Sequence, residues 1–178
     1  MLGAAQAEES RTHLGIKFEK ADITKLPYKE ASFDAVSCVG VLIHDSPEDC
    51  ERFFREAYRV LKPGGRMVVS LTHPGLYDRT VRYKAEEKPW LRHESIAGPD
   101  QWGSRKYKES YKNSAGAVFE SDVYAHTTAF LHSALEKSGF TIQKKQTMKI
   151  TKQALQSAGQ SGEVGYPGYY QILARKPK

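Results

Sequence analysis

No apolar run in this sequence approaches the roughly 20 residues that a membrane-spanning helix requires. The start, Met1-Leu2-Gly3-Ala4-Ala5, lacks the basic flank and long apolar core of a secretory signal, so the default expectation is a cytoplasmic protein without a membrane partner. Cysteine is scarce. Cys38 and Cys50 are the only two; they suit a reducing compartment, make no disulfide framework and show no metal-ligand spacing, so no metal is expected and both read as small buried hydrophobes. Catalytic signatures are missing too. Without a Gly-x-Ser-x-Gly elbow, a Walker loop, a His-Glu-x-x-His pair or Cys-x-x-Cys pairs, the hydrolase, nucleoside-triphosphatase and zinc classes lack their parts. A dinucleotide oxidoreductase would need Gly-x-Gly-x-x-Gly, which is also absent.

A block of consecutive cations is lacking as well. The 27 basic and 21 acidic residues give a net charge of +6, but they are spread along the chain, as on a solvated surface rather than a nucleic-acid footprint. At 178 residues, 39% hydrophobic and 27% charged, the chain has the composition of one globular domain able to bury a core.

The chain is organised around Ser32-Phe33-Asp34-Ala35-Val36-Ser37-Cys38-Val39-Gly40-Val41-Leu42-Ile43-His44. A run of small and β-branched apolar residues entered through Ser-Phe-Asp reads as a central strand buried on both faces, since one-sided strands alternate. Upstream, Ile16–Asp22 alternates like a strand, placed at 16–21, and ends on a carboxylate. Downstream, Ser46 is an N-cap with Pro47 at the first helical position and Glu48 and Asp49 in the first turn. Phe53, Phe54, Ala57, Val60 and Leu61 recur at helical spacing. Pro63-Gly64-Gly65 then ends the helix and Arg66–Leu71 follows as another apolar strand. Strand, helix and strand make a βαβ unit, whose ligands sit beyond the strand ends.

The order Asp22-Ile23, Leu26-Pro27-Tyr28, Ser32-Phe33-Asp34-Ala35-Val36, then Leu61-Lys62-Pro63-Gly64-Gly65-Arg66 resembles the middle and later motifs of class I S-adenosylmethionine-dependent methyltransferases, of the methyltransferase type 11-like kind. The carboxyl-terminal part is similar as well: a helix over 122–138 stopped by Gly139, a Phe140–Gln143 strand, a polar loop with Ser157, Gly159, Ser161, Gly162 and Gly165, and a closing strand over 169–174. The resemblance covers 1–72 and 122–178. It implies an α/β, Rossmann-like sheet, mostly parallel, with an antiparallel carboxyl-terminal hairpin.

The same resemblance implies a Gly-rich turn after a first strand and an acidic residue ending a second, the two elements that hold the cofactor's carboxypropyl and ribose parts. Neither occurs here; residues 1–13 read as a helix broken by Gly15. The expectation is an amino-terminally truncated, partial domain over 1–178, whose exposed sheet edges are closed either by re-pairing of the 16–21 strand or by a partner chain or dimer. Residues 73–120 lie outside the resemblance. Two Trp, four Tyr (Tyr77, Tyr83, Tyr107, Tyr111) and Pro-Gly breaks without lasting periodicity suggest a lid inserted over the methyl acceptor.

Residue by residue, the resemblance implies that Asp22 accepts the adenine amino group with Ile23 beside the ring, and that the backbone of Cys38 and Val39 lies against the methionine part of the donor. The plain alternative for Asp22 is a turn-forming carboxylate before Thr24. His44, just past the central strand, is the residue best able to take a proton from an acceptor, unless it only bonds the loop or caps the next helix with Asp45. Methyl transfer to a good nucleophile needs proximity more than a base. His73, Tyr77, Trp102, Tyr124 and His126 are candidate acceptor-lining residues, aromatic groups suiting both an apolar substrate and a sulfonium; ordinary packing is the competing account of each. The expected function is methyl transfer from S-adenosylmethionine, with S-adenosylhomocysteine as product, to a small molecule. The competing readings are a non-catalytic methyltransferase-like interaction protein and an RNA methyltransferase or RNA-binding domain.

Overall fold

The structure is a computed structural model that describes residues 2–75, 77, 91–112, 115–153, 165 and 167–178. Helix α1, Leu2–Thr12, buries none of its residues. Residues 13–21 form no helix or strand, which corrects the expected strand at 16–21. Alternation alone does not make a strand: this segment pairs with nothing among the described residues, and Leu14 and Ile16 stand 70% and 48% exposed.

Strand β1, Phe33–Val39, pairs in parallel with β2, Leu61–Thr72. Strand β2 pairs antiparallel with the last strand, Pro167–Arg175, which in turn pairs antiparallel with Thr141–Lys149. Numbered in chain order these are β7 and β6, and the sheet order is β1-β2-β7-β6. The α/β class and the antiparallel carboxyl-terminal hairpin are as expected, and the parallel component of the described sheet is the β1–β2 pair. Strand β1 itself is not central. Among the described residues it is an edge strand, with Cys38 its only buried residue, and helices cover one face of the sheet and leave Ala35, Ser37 and Val39 on the other, exposed.

Helix α2, Pro47–Val60, forms as its signals predict. The Ser46 hydroxyl accepts from the Asp49 N–H at 3.1 Å, Pro47 occupies the first turn, where its missing N–H costs nothing, and Cys50, Phe53, Phe54, Ala57 and Val60 are buried. The helix ends on a feature that sequence reading did not find. Lys176, 8% exposed, donates from Nζ to the carbonyls of Tyr58 and Leu61, both at 2.9 Å, and lies over the Tyr58 ring at 4.5 Å. It satisfies two carbonyls that the helix end leaves open and opposes the negative end of the dipole. The adjacent Lys62–Gly65 turn bulges out of the β1–β2 register. A side chain at Gly65 would put its Cβ 2.8 Å from the Lys62 carbonyl, so only glycine fits there.

The described part of the 73–120 insert is a second sheet rather than an irregular excursion. Strands β3 (Leu91–Ser95), β4 (Arg105–Lys112) and β5 (Val118–Ala125) run antiparallel in that order. Tyr83, Trp90 and the polar residues Ser157, Gly159, Ser161 and Gly162 lie outside the described residues. Strand β5 corrects the helix expected from Asp122. Its buried residues, Val123 and Ala125, alternate with more exposed ones, and helix α3, Thr128–Lys137, starts only where the Thr127 hydroxyl accepts from the Phe130 N–H at 3.2 Å. Helices α2 and α3 bury their apolar faces in one core with Met67, Val69, Leu71 and Ile172 of the sheet. Tyr77, Tyr107, Val123 and Ala125 form a smaller second cluster.

Candidate functional site

The carboxyl end of β1 is where the chain changes character. Cys38 points into the core at 4% exposure, whereas Val39 is 64% exposed, so only the backbone of Cys38 faces the strand exit. Gly40 has φ +69° and open space where a Cβ would lie; its N–H donates to the Ser70 carbonyl at 2.9 Å. A 3₁₀ turn, Leu42–His44, follows. It is pinned by Leu42, fully buried, and closed by the Asp45 N–H donating to the Leu42 carbonyl at 3.2 Å. His44 ends this turn and is exposed. Asp45 leads into the Ser46 cap, and its carboxyl is pushed above the ordinary range, first by burial, then by Asp49 and Asp22, with His44 opposing.

Asp22 is thus among the charges that raise the Asp45 carboxyl. It sits in an exposed tight turn, bridged to Lys25, where its Oδ1 accepts from the Thr24 N–H at 2.8 Å and the Thr24 hydroxyl at 2.7 Å. Those two bonds hold its carboxyl below the usual value. The turn-forming account of Asp22 thus describes one of its oxygens; among the described residues no hydrogen bond reaches Oδ2. Ile23, half-buried, packs against the main core. The following residues are clamped to the last turn of α2: the Leu26 N–H donates to Glu56 Oε2 at 2.8 Å, and Arg59 donates to the carbonyls of Tyr28 at 2.7 Å and Leu26 at 3.1 Å. This clamp was not found from sequence; its only local trace is the Glu56–Arg59 spacing on the helix.

The five candidate acceptor-side residues separate into three places. Tyr124 and His126 stack at 5.6 Å and 5° where β5 runs into α3, with Lys106 over the Tyr124 ring at 5.5 Å. Trp102 joins them through the backbone, its carbonyl accepting from the Thr127 hydroxyl at 2.9 Å, and its half-buried ring lies under Lys137 Nζ at 5.3 Å. Tyr77 belongs to the second cluster, stacked on Tyr107 at 5.5 Å, and burial pushes its phenol up to about 12. His73 leaves the end of β2, half-buried, with Nδ1 accepting from the Gly75 N–H at 3.1 Å; burial lowers its pKa.

His126 is 2% exposed. Its Nε2 lies 3.1 Å from the Leu42 carbonyl, 3.0 Å from the Asp45 carbonyl and 3.4 Å from Cys50 Sγ. Two carbonyl acceptors require the proton on Nε2. Nδ1 is buried without a hydrogen-bond partner among the described residues, and burial lowers the ring's pKa. Burial also raises both thiols, Cys38 to about 11 and Cys50 further. Among the described residues no three His, Cys, Asp or Glu converge to hold a metal.

Residues 1–69 match the family model described as a methyltransferase domain. Over 69 residues the chain is 41% identical to a demethylmenaquinone methyltransferase of Deinococcus radiodurans, a match covering 39% of this chain and 28% of that protein. The chain thus spans little more than a quarter of the length of that curated relative. A solved S-adenosylmethionine-dependent methyltransferase from Mesorhizobium loti superposes with a TM-score of 0.60 at 22% identity, over 97% of this chain and 74% of that one. A 1,6-didemethyltoxoflavin-N1-methyltransferase from Burkholderia thailandensis, solved with 1,6-didemethyltoxoflavin and S-adenosylhomocysteine, superposes with a TM-score of 0.52 at 18% identity, over 97% of this chain and 56% of that one. The sequence match falls on α1, the Asp22 turn, β1, α2 and the start of β2; the structural likeness extends through β7. The chain therefore has the Rossmann-like α/β fold seen in solved S-adenosylmethionine-dependent methyltransferases, and its first 69 residues match the family model of a methyltransferase domain.

Proposed function

We propose that this chain transfers a methyl group from S-adenosylmethionine to a small-molecule acceptor at the carboxyl end of β1. The observation that carries the reading is that the methyltransferase-domain match, residues 1–69, includes the exposed exit of β1 with its open Gly40 and the exposed Asp22 turn. The residues present suit the donor. Gly40 leaves room for close approach of a ligand to backbone, and Asp22 Oδ2 is available to accept from an amino group while Thr24 occupies Oδ1. Ile23 offers an apolar side wall, and the main chain of Cys38 and Val39 lines the strand exit. When bound, the donor supplies a methyl group activated by its positive sulfonium.

His44, exposed at the end of the 3₁₀ turn, is the residue to which we assign an acceptor proton where the acceptor has one to lose. Trp102 and Tyr124 are half-buried, and we assign them to the acceptor side together with His73, which lies apart at the end of β2. His126 is buried and stacks on Tyr124, while Tyr77 is buried in the second cluster, against Tyr107 of β4. A small acceptor accords with the demethylmenaquinone named for the Deinococcus relative and the toxoflavin precursor bound by the Burkholderia enzyme.

A second reading, an interaction protein without catalysis, draws on a different observation: the face of the sheet away from α2 and α3 leaves Val39 64% and Tyr169 47% exposed, a surface suited to a partner chain or a second copy. Titration calorimetry with S-adenosylhomocysteine separates the two. Micromolar binding supports the enzyme; a folded protein that gives no heat at millimolar ligand, together with a mass above that of one chain, supports the interaction protein.

A further inference from the structure

We propose that His126 is a positioning residue that sets the β1 exit loop, Gly40–Asp45, from the insert side of the molecule; its consequence for donor binding rests on the function proposed above. The loop has two outside anchors. On the sheet side the Gly40 N–H donates to the Ser70 carbonyl of β2 at 2.9 Å. On the other side the His126 Nε2–H reaches the carbonyls of Leu42 and Asp45 together, at 3.1 and 3.0 Å.

The remaining donors to those carbonyls are weak or internal to the turn. The Leu42 carbonyl takes the Asp45 N–H at 3.2 Å, a bond that curls the turn without saying where it lies. Cys50 Sγ stands 3.9 Å from the Leu42 carbonyl and 3.8 Å from that of Asp45, and a thiol is a poor donor. For the Asp45 carbonyl, His126 is the one strong donor among the described residues.

The imidazole is held better than the loop it holds. It stacks between Tyr124 at 5.6 Å and Phe130 at 5.1 Å. The next residue, Thr127, is tied by three bonds: its N–H donates to the Ser104 hydroxyl, its hydroxyl donates to the Trp102 carbonyl, and the same hydroxyl accepts the Phe130 N–H. Nδ1 meets no partner among the described residues, and the contacts of Nε2 go to the two loop carbonyls and to Cys50 Sγ. His126 therefore joins the β5–α3 junction, on the acceptor side, to the turn that carries Gly40 and His44, on the donor side.

The test compares wild type, His126→Phe and His126→Gln by hydrogen exchange at the His44 and Asp45 amides and by calorimetry with S-adenosylhomocysteine. Phe keeps the stacking and loses the donor; Gln returns an amide N–H at similar reach. The expected result is loss of protection at both amides and about tenfold weaker binding for Phe, the size of one missing hydrogen bond, with both recovered in Gln. Should the Phe variant not fold, His126→Asn, whose shorter amide cannot reach both carbonyls, takes its place. Unchanged protection in the donor-less variant, or a Gln variant as impaired as Phe, overturns the proposal. If wild type binds no S-adenosylhomocysteine, the donor reading fails separately, and the exchange pattern alone decides whether His126 sets the loop.

Discussion

Replacing Lys176 by Met isolates what one buried ammonium contributes. Met keeps the apolar stem that packs along Tyr58 and removes the head that donates to the Tyr58 and Leu61 carbonyls at 2.9 Å each. Hydrogen bonds from a charged donor contribute about 1.5–3 kcal/mol each, so the gross loss is about 3–6 kcal/mol. Against this, wild type carries the cost of desolvating an ammonium, several kcal/mol in real proteins, which Met avoids. Among the described residues no carboxylate pairs with Lys176, so compensation comes from carbonyls, the end of the α2 dipole and the Tyr58 face alone. The two terms cancel in part, and the variant leaves two carbonyls of the α2 end without their donor. A net loss of about 2 kcal/mol follows, equivalent to a melting temperature lower by about 4–8 °C for a domain of this size. Calorimetric melting with a urea titration measures it, and high salt should leave the difference in place because the site is buried. A variant that melts at or above wild type would show that desolvation outweighs the capping bonds and refute this account of how α2 ends.

Asp22→Ala should weaken S-adenosylhomocysteine binding about tenfold in calorimetry; unchanged affinity moves the adenine away from this turn. Arg59→Met should lower the urea midpoint and speed exchange of the Leu26 and Tyr28 region, since it cuts the clamp to α2; a midpoint equal to wild type would mean that the loop is held by other contacts. Glu56 is held below its ordinary value of 4.5, chiefly by its hydrogen bond from Arg59. A depressed carboxylate stabilises above the unfolded value and loses that contribution as pH falls through the folded one. The stability gap between wild type and Glu56→Gln should therefore be full above about pH 4.5 and close in stronger acid, as read by urea midpoints across pH. At pH 8 a thiol reagent should modify neither Cys38 nor Cys50 in the native protein and both in denaturant, because burial raises Cys38 to about 11 and Cys50 beyond it; rapid native labelling would show an open core.

Local signals in this chain carried as far as local physics reaches. Helix α2 is readable because Ser46, Pro47, Glu48 and Asp49 act within one turn of each other and its apolar positions share one face. The closing hairpin is readable because Gly139 stops α3 and β-forming runs follow. Strand β1 was legible as a strand but not as an edge, since an apolar run reports residue type and not how many faces the rest of the chain covers. The 16–21 segment alternates correctly and still forms no strand, because a strand is a pairing and no partner lies beside it among the described residues. The helix assigned from Asp122 overran β5, where burial alternates up to Ala125 and the Thr127 cap marks the true start.

The same divide runs through the candidate site. Cys38, Gly40 and His44 follow one strand end and were read together, whereas Asp22, read as the end of a strand, sits in a turn. The groups that brace this part of the fold, Arg59 on Leu26 and Tyr28, His126 on Leu42 and Asp45, and, at the end of α2, Lys176 on Tyr58 and Leu61, act across 31 to 118 positions of sequence. Each is a polar side chain whose partner is a backbone carbonyl, and a carbonyl leaves no mark in the residue alphabet. The identity of a neighbouring side chain can suggest a salt bridge or a stack, but nothing at positions 42 or 45 announces that their main-chain oxygens await a donor. Support of this kind becomes visible only when the fold brings distant segments together.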